Sequence, residues 1–331
     1  MKTIIFYNVY VTSRASVAGE LESEGPLGNL FDQTYSDFYC GEKNYESAER
    51  KMVKDACDAA IRKARLKQTD ISFAVGGDLI NQLATSHYFI REVPISFLGM
   101  YAACATSSLV IGEGSLLVEH GFDHVLCFTS SHNACAERQF RYPNEYGVQK
   151  KVTTTYTVSG AGAIILGKSP TNIKVSAFTV GNVIDWNYSD ANDMGKAMAP
   201  AAFETLKEHL KNRKQTIQDY DAIVTGDLSK IGFSMLCDLL LEANMEIDNR
   251  LNDCGLLIYD INKQPVFAGG SGCACSMCVS MTLLLDNLEK GVWNHLLVIA
   301  TGTLLSPILT QQKESIPVIA HAIEYERRKR K

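Results

Sequence analysis

At 331 residues, with 46% hydrophobic and 21% charged residues, the chain has ordinary globular composition and enough apolar material for one large domain or two of common size. No apolar run approaches the roughly 20 residues of a bilayer-spanning helix, and a formal charge of −5 argues against a nucleic-acid footprint. The 10 cysteines sit mostly inside apolar segments of a long chain, which argues for reduced thiols rather than a disulfide scaffold.

The opening MKTIIFYNVYVTSRAS breaks with polar residues after a short apolar stretch, so a strand of a soluble, unexported chain is expected there, with no signal peptide. Glu24 to Asn44 has turn residues, four aromatics and no clean period, as expected of a folded excursion packed on the body. In ESAERKMVKDACDAAIRKARLK, Met52, Val53, Ala56, Cys57, Ala60 and Ile61 share one helical face while charges occupy the other. Apolar runs of strand length then recur at ISFAVGG, VPISFLGM, HVLCFTS and GAIILG, and again at DAIVTGD, CGLLIYD, HLLVIATG and IPVIAHAI. Strand and helix alternate, which sets an α/β class. GKSP, before IKVSAFTVG, is the expected seam, dividing the chain into halves 1–168 and 169–331. The last five residues, Arg327 to Lys331, are all basic: a solvated terminus or a contact for an anionic membrane surface.

The two halves carry the same markers. VGGDL at Val75 to Leu79 returns as VTGDL at Val224 to Leu228, and the HVL from His124 returns as HLL from His295. Each copy has a cysteine opening an apolar, serine-bearing run, Cys104 lying 20 residues before His124 and Cys273 22 before His295. The spacing from the preceding aspartate is 26 in the first copy and 46 in the second, so the second has an insertion before its cysteine. Two copies, rather than many, imply pseudo-twofold halves with a site between them.

Cys104 follows PISFLGMYAA and precedes a helical run, which places its sulfur near a helix N-terminus, where free N–H groups favour a thiolate. A nucleophile or an anion site would use that position, and a buried apolar filler is the alternative, better suited to Cys57, Cys127 or Cys237. His132 and Asn133 stand just beyond the strand HVLCFTSS, and Arg138, Arg141 and Tyr142 follow in the same loop. Two guanidinium groups and an aromatic ring suit a planar ligand bearing carboxylates, and a solvated or dimer-facing loop is the plain alternative. Asp78 and Asp227 each end a strand, where they cap the next helix as readily as they touch a ligand. In GGSGCACSMC, Gly269 to Cys278, the glycines suit close backbone approach to a ligand or to Cys104. Cys273, Cys275 and Cys278 cluster there without the partners that a metal site needs, and neither a Walker sequence nor a strand-linked GxGxxG is present; no metal or cofactor is expected.

Two related halves, a cysteine at a strand-to-helix turn in the first and a glycine-rich loop in the second resemble the thiolase fold. GPLGNLFDQTY, GDLINQ, SSHNACAERQFRYPNEYG, DMGKAMAPAA, CGLLIY, FAGGSGCACS, ATGTLLSP and QQKESIP, which span nearly the whole chain, resemble the stage V sporulation protein AD family of spore-forming bacteria. That resemblance implies two pseudo-twofold α/β halves forming a layered α/β/α/β/α core, and a homodimer. It implies a non-catalytic protein that binds dipicolinic acid, alone or as its calcium salt. The protein would help move it into the developing spore beside membrane proteins of the same operon, soluble or peripherally attached to the inner spore membrane. Cys104 matches the condensing-enzyme nucleophile by its place in the motif. The second half lacks the histidine, or histidine and asparagine, that thiolase-like enzymes carry, and the second thiolase cysteine is missing after VIATG. The ligand set expected on this reading is Cys104, His132, Asn133, Arg138, Arg141, Tyr142, Asp227, Ser271, Gly272 and Cys273. The alternative is an acyl-transferring condensing enzyme that uses a coenzyme A thioester at Cys104, with His132 as an unusual base.

Overall fold

A computed structural model describes residues 1–246 and 248–328. The chain runs β1 (Lys2–Ile5), β2 (Tyr10–Ala18), α1 (Glu20–Ser23), β3 (Gln33–Thr34), α2 (Tyr45–Lys63), β4 (Phe73–Gly77), α3 (Ala84–Ile90), β5 (Phe97–Gly99), α4 (Thr106–Glu119), β6 (Val125–Ser131), α5 (Asn133–Phe140), β7 (Tyr156–Thr157) and β8 (Gly160–Gly167). It continues through β9 (Ile173–Val180), α6 (Met194–Arg213), β10 (Ala222–Thr225), α7 (Ser229–Glu242), β11 (Leu251–Asp253), α8 (Cys254–Leu257), β12 (Gly270–Ser271), α9 (Cys273–Val279), α10 (Leu285–Lys290), β13 (His295–Thr303), α11 (Pro307–Gln311) and β14 (Val318–Arg327).

The strand order is β5-β4-β6-β8-β2 followed by β9-β14-β13-β10-β11, so the second run repeats the first in mirror sequence. β4 and β10 carry the two GDL markers, and the HVL and HLL markers belong to β6 and β13, which occupy matching places in the two runs. The runs meet at a single residue pair, Tyr10 with Lys174, and otherwise form two sheets of six strands each, β3 pairing with β2 in the first and β1 with β9 in the second. Alternation along each strand sorts the core. Cys127, Ile164 and Leu166 join the cluster of α4, while Leu126, Phe128, Ala163 and Ile165 join that of α2. In the second sheet Val224, Leu296 and Val298 face inward, and Ile223, Leu297 and Ile299 face α6. α4 is therefore sandwiched. A Cβ at its Gly112 would lie 2.4 Å from the Phe178 ring of the second sheet, and one at Gly114 would lie 2.2 Å from Cys127 Sγ of the first. The layers run α2 and α3, sheet, α4 and α9, sheet, α6 and α7: a thiolase-like α/β/α/β/α core.

The helix face predicted for Met52, Val53, Ala56, Cys57, Ala60 and Ile61 is buried throughout against the first sheet, each larger side chain contributing about 2 kcal/mol. Asn44 caps the helix, its side chain accepting from the Ser47 N–H. The excursion before it is anchored by buried Leu27, Phe31 and Cys40 and by the pairing of β3 with β2. One expected strand is a helix. CGLLIYD forms α8 and the turn after it, and the strand is the preceding Leu251–Asp253. A short, fully buried apolar run satisfies either periodicity, and here tertiary packing of Ile258 and Tyr259 decides. GKSP lies between β8 and β9, at the passage from one sheet to the other. Of the basic end, Arg327 closes β14, Arg328 follows it, and Lys329 to Lys331 lie outside the described residues.

Candidate functional site

The turn between β5 and α4 carries Cys104, and two features hold it. Ala103 takes a φ of 48°, a left-handed conformation that costs a non-glycine residue about 1 kcal/mol. Thr106 repays this from within the turn: its hydroxyl accepts from the Ala102 N–H at 2.9 Å and donates to the Ala103 carbonyl at 2.6 Å. Gly302 of β13 then lets the other half press against it, since a Cβ there would lie 2.4 Å from the Ala102 carbonyl oxygen. The cysteine thus stands where the two sheets come together.

Its sulfur lies 3.8 Å from the Ser271 hydroxyl. That hydroxyl donates to Asp227 Oδ2 at 2.8 Å, the Gly272 N–H donates to the same oxygen at 3.1 Å, and the Thr301 hydroxyl donates to Oδ1 at 2.7 Å. Asp227 is buried, with no ion pair among the described residues; burial raises its pKa, and these donors oppose the rise. Burial, followed by the Asp227 charge, pushes the Cys104 thiol well above its ordinary value. The expected thiolate is corrected on this point. Cys104 precedes the first residue of α4 by two positions and faces a buried carboxylate, and desolvation together with like charge outweighs the helix terminus.

Cys104, Ser271 and Gly272 line a narrow cleft, partly open to solvent, with about 30 Å³ open to the centre of a water-sized sphere. Arg141 and Thr157 also line it, with Leu79, Tyr101, Ala136, Phe140, Met194 and Leu305 supplying apolar wall. Tyr101, Phe140 and Leu305 also line a neighbouring hollow of about 510 Å³ bordered by Asn81, Gln82 and Gln139. The cleft sits beyond the C-terminal ends of β4, β5, β6 and β13, where open α/β sheets gather binding residues. No imidazole or carboxamide lines its inner part.

Of the ten residues expected at a ligand, Cys104, Arg141, Ser271 and Gly272 line the cleft. The other six lie elsewhere. His132 caps α5, its Nδ1 accepting from the Ala134 N–H at 3.2 Å while Nε2 donates to the Phe38 carbonyl at 2.8 Å. Burial lowers its pKa to about 4, and both nitrogens are committed away from Cys104, which corrects its expected role as ligand or base. Asn133 is buried, its Oδ1 accepting from Asn144 Nδ2 at 2.9 Å. Arg138 turns to the surface and pairs with Glu46, and Tyr142 is exposed beside a separate pocket. Asp227 stands behind Ser271 and Gly272 and orients them. Cys273 points the other way, donating its thiol proton to the Ser130 carbonyl at 2.9 Å. Residue spacing carried no information on which way a loop side chain turns, and these are the positions it misplaced.

Arg141 reaches inward because Glu137, one helical turn earlier, receives it: Nε lies 3.2 and 3.1 Å from the two carboxylate oxygens and the terminal nitrogen closes the pair. Lys150 Nζ lies 3.1 Å from the same carboxylate. Burial works to raise the Glu137 pKa, and the two cations more than offset it, holding it below the usual range.

Sequence reasoning missed Tyr101, Met194, Thr301 and Thr303. ATGTLLSP held a usable signal, since Thr301 and Thr303 are two residues apart on β13 and share a face. The thiols of Cys273, Cys275 and Cys278 meet the carbonyls of Ser130, Gly226 and Val17, so they diverge rather than surround one ion. Among the described residues, the side chains grouped closely enough to hold a metal are His295, Glu324 and Glu326, where Arg213 already bonds both Glu324 oxygens.

The chain matches the model of the stage V sporulation protein AD family over residues 1–326. It is 48% identical over 320 residues to stage V sporulation protein AD of Bacillus subtilis (strain 168), covering 96% of this chain and 94% of that one. Among solved structures, 3-oxoacyl-[acyl-carrier-protein] synthase III of Aquifex aeolicus VF5 superposes with a TM-score of 0.57 at 11% identity, covering 96% of this chain and 99% of that one. A variant of OleA from Xanthomonas campestris superposes with a TM-score of 0.61 at 11% identity, covering 97% and 98%. These last two speak for the fold.

Proposed function

Because the chain belongs to the stage V sporulation protein AD family, we propose that it is a binding protein for dipicolinic acid, free or as its calcium salt, and serves its uptake into the developing spore. One observation carries the reading: the cleft at Cys104 presents a guanidinium and a hydroxyl but no imidazole or carboxamide among its described lining residues, and the carboxylate beside the thiol, Asp227, has its oxygens taken by Ser271, Gly272 and Thr301. A small flat dianion has what it needs there. Arg141 supplies charge, while the Thr157 hydroxyl and the apolar wall suit a carboxylate-bearing ring. Each charge-assisted hydrogen bond contributes about 1.5–3 kcal/mol against the desolvation of the dianion, so two or three give micromolar affinity, about −8 kcal/mol, or weaker. Homodimerisation, attachment to the inner spore membrane through proteins of the same operon, and contact of the basic end with anionic lipid belong to this same proposal.

Calorimetric titration with dipicolinate, with and without calcium, tests it; no heat at millimolar ligand removes it. The second reading, acyl transfer from a coenzyme A thioester, is favoured by the condensing-enzyme likeness and by Cys104 at its turn. It requires a covalent adduct. Intact-mass measurement after incubation with acetyl and malonyl thioesters decides between them, since a binder gains no mass.

A further inference from the structure

Arg141 borders a second chamber besides the Cys104 cleft. It lies under the loop of residues 141–150 with about 80 Å³ open to the centre of a water-sized sphere, and Glu137, Lys150, Asn144, Thr154 and Asn192 line it with Arg141. Two cations there share one carboxylate, which leaves an excess positive charge. Thr154, on the chamber wall, is 1% exposed, and its hydroxyl has no partner among the described residues. Buried polar groups without partners are rare, and they mark places where a ligand or water completes the bonding. The Thr154 hydroxyl is able to donate, and the Glu137 carboxylate is already taken by Arg141 and Lys150, so the chamber offers an anion more than it offers a cation.

We propose that this chamber is a second binding site, for a small carboxylate anion, with Lys150 as its charge contact and Thr154 as a hydrogen-bond donor. An incoming carboxylate replaces the share of Glu137 that Lys150 now holds and leaves the Glu137–Arg141 pair in place. The site stands whether or not the cleft takes dipicolinate.

The test uses crystals of the full chain soaked with 6-bromopyridine-2-carboxylate, together with calorimetry of the same compound. A bromine anomalous peak beside Lys150 and Thr154 is expected. Lys150→Met should raise the Kd of that binding at least tenfold and Thr154→Val severalfold, while Cys104→Ala leaves it unchanged. Thr154→Val, nearly isosteric, carries the test should Lys150→Met not fold. A peak confined to the Cys104 cleft, ordered water alone in the chamber, or variants with the wild-type Kd would overturn the proposal. A peak beside Lys150 with none in the cleft would keep it and remove the cleft reading instead.

Discussion

Cys104 and Cys273 occupy the same turn of the two halves, each after a residue with positive φ, Ala103 at 48° and Gly272 at 100°, yet Cys104 meets the cleft while Cys273 is sealed against Ser130, Leu79 and Ala136. The aspartates reverse the assignment. Asp78, in the first half, accepts from the Ile80 N–H at 2.8 Å and from the Ser86 N–H and hydroxyl at 2.8 and 2.7 Å, all within its own half. Asp227, its counterpart, orients Ser271, Gly272 and Thr301 around the cysteine of the other half. Asp253 is what frees it. Its carboxylate accepts from the Thr225 hydroxyl and from the Leu228 and Ser229 N–H groups, serving the start of α7 that Asp227 would otherwise serve. A duplicated scaffold therefore builds one asymmetric site by giving each half a different surviving element, and each assignment can be tested against its twin.

The largest difference should come from the aspartates. Asp227→Ala strands three buried donors and should cost about 3 kcal/mol or more in urea unfolding, with loss of ligand titration. Asp78→Ala should cost a comparable amount and leave the titration intact, provided the protein is assayed below its melting point. Equal effects of the two on binding would break the comparison.

A second prediction follows from the other buried acids. Burial raises the pKa of Glu22 and Asp253 to about 7 and that of Glu49 to about 8, against partial relief from their donors. Each folded value lies above the unfolded one, so the folded chain holds these protons longer. Their contribution is full below about pH 4.5 and is lost as pH rises through 7 and 8. Glu22, which accepts from the Tyr259 hydroxyl and the Ser159 N–H, should account for on the order of 3 kcal/mol of that decline. Urea midpoints from pH 5 to 8.5 should fall in the wild type and flatten in Glu22→Gln; parallel profiles would refute the assignment.

The cysteines should differ by less. Cys273→Ala opens a sealed core position and should cost about 1–2 kcal/mol in thermal unfolding, whereas Cys104→Ala, beside the cleft, should cost about 0.5 kcal/mol. The smallest effect concerns reactivity. Cys104 should react with iodoacetamide at pH 7.5 at least about tenfold more slowly than a free thiol, because it is protonated there. Asp227→Asn should quicken it a fewfold by removing the second cause of that protonation, and an unchanged rate would show that burial alone governs it.

Much of this was legible in the chain. The markers VGGDL and VTGDL and the two cysteine-led runs announced matching strands and helices, and apolar periodicity placed α2 and most strands. The site was legible only in part. Cys104 and Gly272 lie at turns that open helical runs, Ser271 just before the second of them, and Arg141 finds Glu137 one helical turn away. His132 and Arg138 looked equally suitable, and their directions were settled by Phe38 and Glu46, residues distant in sequence that no local pattern relates to them.

Residue order by itself determined the duplication, the α/β alternation and the strand-to-helix turns, because these rest on period and steric preference over a few neighbouring residues. The ionisation of Cys104, the inward reach of Asp227 and the emergence of two chambers on either side of Arg141 were decided only by tertiary structure. Burial and charge depend on which distant segments are packed into the same few ångströms, and desolvation has no expression until that packing exists.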